Sequence, residues 1–73
     1  MPRIVIEPHA RLRMRQRGIS DEEIAHVWVH YDHERPSQDH PGFRVRIGRT
    51  PGGRRVGVVA RLQRDVFEVK TVW

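Results

Sequence analysis

Apolar and polar positions divide the chain into a short apolar opening, two stretches with helical spacing, a polar gap and three stretches of alternation. Ile4, Val5 and Ile6 form a β-branched run stopped by Pro8, which predicts a short strand or extended arm over residues 3–6. From Pro8 to Arg17 the chain is rich in Arg, Leu, Met and Ala. Pro suits a first helical turn and Gly18 stands where a left-handed cap closes a helix, so one helix is expected over 8–17. Ser20 and Glu23 have capping-box spacing, and Ile19 and Ile24 the spacing of a hydrophobic staple. A second helix should therefore run from Asp21 to about Tyr31, burying Ile24, Val27, Trp28 and Tyr31 and turning His26 and His30 toward water.

Residues 32–42 hold two Pro, one Gly and almost nothing apolar, the composition of an exposed loop. Beyond them Phe43, Val45 and Ile47 alternate with Arg44 and Arg46. Val56, Val58, Ala60 and Leu62 alternate with Arg55, Val59 and Arg61, and Phe67, Val69, Thr71 and Trp73 with Glu68, Lys70 and Val72. Pro51-Gly52-Gly53 and Gln63-Arg64-Asp65 supply turns between them. The expected architecture is α+β: a short N-terminal strand or arm, and two helices packed on one face of a three-stranded antiparallel meander. That face would take Phe43, Phe67, Thr71 and Trp73, leaving a basic outer face.

A length of 73 residues allows one domain, 1–73, with a thin core, and the lack of any Cys removes disulfides and thiolate zinc sites as staples. It also fits a reducing, cytoplasmic setting. The N-terminal stretch Met1 to Glu7 lacks the apolar length of a signal peptide, and no run is long enough to span a membrane. The formal net charge of +5 is unevenly spread. Residues 3–17 carry five Arg against one Glu, residues 18–42 one Arg against six acids, and residues 43–73 eight basic residues against two acids. Two basic blocks flanking an acidic one argue for an anionic partner.

Two arrangements could meet such a partner. His9, Arg13 and Arg17, spaced by four, share one stripe of the first helix, where forked guanidinium donors and a titratable imidazole can hold a phosphate. The same stripe can equally be a solvated face paired to Glu22 or Glu23. On the meander, Arg44, Arg46, Arg55, Arg61 and Lys70 should share the outer face, a surface able to track a nucleic-acid backbone, or simply one charged for solubility. With Phe43, Phe67 and Trp73 assigned to the packed face, that surface lacks aromatic platforms for unpaired bases. His26 and His30, with His33 and His40 in the loop, are too sparse a pattern to call for a metal. No nucleophile elbow or phosphate-cradling glycine loop occurs, and no cofactor is implied.

The run His9-Ala10-Arg11-Leu12-Arg13-Met14-Arg15-Gln16-Arg17-Gly18-Ile19-Ser20 resembles the opening H-A-x-x-R-M-x-x-R-G-I-S of a family of small bacterial proteins related to the RelE and BrnT toxins. At motif level the likeness covers the first third of the chain, and in element order most of it. It implies a RelE-like fold, RNA binding with metal-free ribonuclease activity, and an antitoxin protein as partner. Such cleavage needs a proton acceptor for the 2′-hydroxyl, a donor for the leaving oxygen and cations for the phosphorane. The resemblance suggests His9 as acid or base, Arg13, Arg17 and Arg61 as phosphate holders, and Thr71 as the contributing hydroxyl of the last strand. Strict alternation sets Thr71 and Arg61 on opposite faces, so a bulge or sheet edge would have to bring them together. The alternatives are a non-catalytic module for RNA, a ribosome or an acidic protein, and an interaction protein whose charge serves only solubility.

Overall fold

Local signals in the chain explain both helices of the computed structural model, which describes residues 3–73. The first two residues, part of the N-terminal stretch read for a targeting signal, lie outside the described residues. Helix α1 (Pro8–Arg17) starts on Pro8 and closes at Gly18 in the left-handed conformation, with Ile19 N–H bonding back to Met14 C=O at 2.8 Å. Helix α2 (Asp21–Val29) opens on a complete capping box. Ser20 Oγ accepts from Glu23 N–H, and the Glu23 carboxylate accepts from Ser20 N–H at 2.9 Å. It ends at Val29, two residues before the expected limit, and Tyr31 is exposed rather than part of the buried stripe. His26 is half-buried, its ring 4.7 Å from that of His30.

The strands are β1 (Arg3–Ile6), β2 (His33–Pro36), β3 (Arg44–Arg49), β4 (Arg55–Gln63) and β5 (Val66–Val72). They form one five-stranded mixed sheet in the order β1-β5-β4-β3-β2, with β1 parallel to β5 and every other pair antiparallel. The molecule is thus a small α+β domain with two helices and a mixed sheet. The expected meander is its middle, β3 to β5. Part of the expected loop 32–42 is in fact β2, a charged and fully exposed edge strand. No apolar alternation marks it, because neither of its faces is buried, and its Pro is tolerated at the edge.

The helices lie on one face, where Ala10, Met14, Ile19, Ile24 and Val27 pack against Val56, Val58, Ala60, Phe67, Val69 and Val72. On the opposite face Phe43, Val45 and Val59 form a second, smaller cluster with Ile47. The expected facing of β3 is therefore inverted: Arg46 lies opposite Val58 and Arg44 opposite Ala60, on the helix side. Strand β4 is apolar on both faces, so its alternation does not say which side a neighbour's apolar residues should take. The exit of α2 settles the matter, since it crosses β3 at Gly48, where an added Cβ would fall 3.1 Å from Tyr31 Cα. Asp32 N–H also bonds to Ile47 C=O there. A second departure from simple alternation lies in β5. Val59 pairs with Thr71 but Ala60 with Val69, so Lys70 is an inserted residue, a β-bulge. Val69 and Val72 both reach the helix-side core, while Lys70 and Thr71 both face the other way.

Candidate nucleic-acid interface

The helix-free face gathers Arg61, Glu68, Lys70 and Thr71 around the Phe43, Val45 and Val59 cluster. Strand β1 covers β5 only from Val66 to Val69, and Glu7 N–H makes the last bond, to Val69 C=O. Past that point α1, which packs on β5, borders the strand. Arg13 thereby lines a cleft of about 300 Å³ shared with Arg35, His40, Thr71 and Trp73 and floored by Val45 and Val59. One carboxylate, Asp39, also reaches this cleft. His40 is held by its loop: its N–H donates to Ser37 Oγ at 3.1 Å, its C=O accepts from Phe43 N–H, and its ring stands edge-on to Phe43. Among the described residues neither Arg13 nor Arg35 pairs with a carboxylate.

Of the stripe His9, Arg13 and Arg17, only Arg13 reaches the cleft. His9 is exposed outside it, and the Arg17 backbone carbonyl accepts from the Arg54 guanidinium. The pairing of Arg13 or Arg17 with Glu22 or Glu23 does not form. The ion pair between the helices is instead Arg11 with Asp21, at 2.7 Å. Thr71 was expected on the packed face, and the bulge moves it to the open face that also bears Arg61. Arg61 donates to Glu68 at 3.0 Å, and its guanidinium lies 4.6 Å over the Phe43 ring. Lys70 reaches Glu7 at 3.3 Å and stands over the same ring. Arg55 is exposed opposite Arg49.

Arg44 and Arg46 leave the predicted surface altogether. Both bind Glu34 on the helix side. The Arg46 guanidinium sits 4.1 Å from the Trp28 ring centroid and 4.3 Å from that of Tyr31, and donates to Trp28 C=O at 2.7 Å. This is a structural arginine, fastening the end of α2 to the sheet. Arg46→Ala is expected to lower stability by about 1–2 kcal/mol. The midpoint of denaturant unfolding checks that loss.

Aromatic placement also differs from expectation. Phe67 is on the helix side against Trp28, but Phe43 and Trp73 belong to the open face. The residues that sequence reasoning missed, Arg35, His40, Phe43 and Trp73, sit there because of strand register and one loop. Their only local mark is the Ser37 to His40 spacing of a side-chain-capped turn. Among the described residues no group of three or more His, Cys, Asp or Glu is arranged to hold a metal, and no helix is long and apolar enough to cross a membrane.

A family model described as a domain of unknown function, DUF4258, matches residues 6–73, a span that takes in every residue of the cleft. The chain belongs to the DUF4258 family. No curated protein and no solved structure matched it.

Two carboxylates give this DUF4258 domain an acid limit. The Arg46 hydrogen bond, joined by Arg44, holds Glu34 below its ordinary 4.5 against the opposing effect of burial. Glu68 is held low first by a hydrogen bond with the Glu7 carboxyl, then by Arg61 and the charge of Lys70. A carboxyl lowered on folding stabilises the native state above its unfolded pKa, and that contribution disappears as pH falls through the folded value. The melting temperature should thus be level from neutral pH to about 5 and fall below about 4.5, less steeply in a Glu34→Gln, Glu68→Gln variant. An equal slope in that variant excludes these two groups as the cause.

Proposed function

We propose that this domain is a RelE- and BrnT-like toxin domain that binds RNA in the open-face cleft and cleaves it without a metal. The observation that carries the reading is the bulge at Lys70, which sets the Thr71 hydroxyl in one cleft with Arg13 of the H-A-x-x-R-M motif. Two helices on the antiparallel meander β3 to β5 support the RelE-like element of the proposal. In the cleft Arg13 and Arg35 hold the scissile phosphate and stabilise the phosphorane. His40 takes the 2′-hydroxyl proton as that oxygen attacks phosphorus, while the leaving 5′-oxygen gains a proton from solvent at the mouth of the cleft. Thr71 donates a hydrogen bond to a non-bridging oxygen. His40 takes the role that the resemblance suggests for His9, and Arg61 is a neighbour on the same face. A small antitoxin protein, covering the basic surface, is the proposed protein partner.

Single-stranded RNA incubated with the protein in EDTA tests the activity. Wild type and His9→Ala are expected to cleave, and His40→Ala is expected to lose cleavage while still binding. Binding without cleavage by wild type would establish the second reading, a non-catalytic module for RNA, a ribosome or an acidic protein. That reading is favoured by one observation: Arg61 and Lys70 are already engaged by Glu68 and Glu7.

A further inference from the structure

Resting on the RNA reading above, we infer that the cleft takes unpaired RNA, with one base stacked on Trp73, and that Gly57 is the residue that seats this ring. Trp73 pairs with Gly57 through both backbone bonds, at 2.8 and 2.9 Å, which fixes where its side chain leaves the sheet. The indole then lies against the glycine. A Cβ built at Gly57 would fall 2.4 Å from Cε2, 2.6 Å from Cζ2 and 2.8 Å from Cδ2 of the ring, a separation no side-chain carbon tolerates. Backed by the strand in this way, Trp73 remains 37 % exposed and lines the cleft that Arg13, Arg35 and Thr71 also line. The contrast with Trp28 is informative, because that indole is covered by Arg46 and by Phe67.

A rigid, half-exposed indole beside unpaired guanidinium groups is the arrangement that holds single-stranded nucleic acid. The cations take the phosphate and the ring takes the face of a base. In a duplex those faces are covered by stacked neighbours, so only a splayed base can use the ring. The cleft volume, about 300 Å³, lies at the small end of ligand pockets and suits one nucleotide rather than a helix.

The test compares a single-stranded oligouridine with an RNA duplex of equal length at one salt concentration, using wild type, Trp73→Ala, Trp73→Phe, Gly57→Ala and Arg13→Ala. Gly57 has no left-handed φ, so alanine suits its backbone and the neighbour that must yield is a side-chain ring. Gly57→Ala therefore displaces the platform while every aromatic residue stays in the chain. Trp73→Ala and Gly57→Ala should each weaken single-strand binding roughly 10- to 100-fold and leave duplex binding unchanged, with Trp73→Phe retaining most of the affinity. Circular dichroism confirms that each variant is folded, and Gly57→Ala with Trp73→Phe carries the comparison if Trp73→Ala is not. Wild-type single-strand affinity in both Trp73→Ala and Gly57→Ala, alongside loss in Arg13→Ala, overturns this inference and leaves the RNA reading standing. No RNA binding by wild type removes both.

Discussion

Arg13→Ala should slow metal-free RNA cleavage by about 10²–10³-fold, the loss typical of removing one fixed donor from a developing anionic centre. Arg13 is selected over the other cations of α1 by position. It lines the cleft with Thr71 and Trp73, whereas His9 and Arg17 do not. It also has no carboxylate to leave behind among the described residues, so truncation removes a ligand contact without stranding a buried charge. Arg13→Lys should recover only part of the rate, because an ammonium cannot present two parallel donors to a phosphate. Arg17→Ala serves as the matched control, one turn further along the same helix, and should cleave within a few-fold of wild type. If Arg13→Ala and Arg17→Ala fall equally, the stripe acts as a diffuse positive field and the cleft is not the reaction site. The salt dependence of binding separates these cases, since one lost phosphate contact lowers the slope by about one.

The second large effect is on stability. Met14→Ala should cost about 2–5 kcal/mol, read from denaturant midpoints. Met14 is almost fully buried at the centre of the helix-side core, one helical turn from Ala10, and is one of only two side chains that α1 buries. Half of its other positions are arginines, and its polar ties, Arg11 to Asp21 and Arg54 to the Arg17 carbonyl, are exposed. Domains of this size have total stabilities of only about 5 kcal/mol, and the variant should be substantially unfolded at 37 °C. Its loss would also free Arg13 from the cleft, coupling stability to function. A cost below about 1 kcal/mol would mean that α1 is held mainly by contacts other than this core.

These two expectations use the same ten-residue helix, yet they were legible to different degrees. The helix itself, its Pro start, its Gly18 close and the capping box that follows are local matters, decided within four or five residues by backbone geometry and hydrogen bonding. So they can be read from the chain. The meander was legible for the same reason, since alternation and turn residues are short-range signals. Strand β2 was not, because an edge strand exposed on both faces carries no apolar period. The site suffered most. Reading β3 with its apolar residues toward the helices placed Arg44 and Arg46 among the RNA ligands and Phe43 in the core, and strict alternation along β5 placed Trp73 there too. Register, the crossing of α2 over Gly48 and the Lys70 bulge reverse each of those placements.

The amino-acid sequence by itself determined the basic charge and the small α+β architecture, with two helices followed by antiparallel strands. Only the tertiary structure decided which cations are spent on the fold and which remain available. Arg46 is stacked against two aromatic rings and Arg61 is tied to Glu68, while Arg13 and Arg35 meet Thr71 and Trp73 from elements far apart in the chain. Periodicity records that neighbouring residues point to opposite sides. It does not record which side meets the helices, because β4 is apolar on both faces and a single inserted residue in β5 exchanges them.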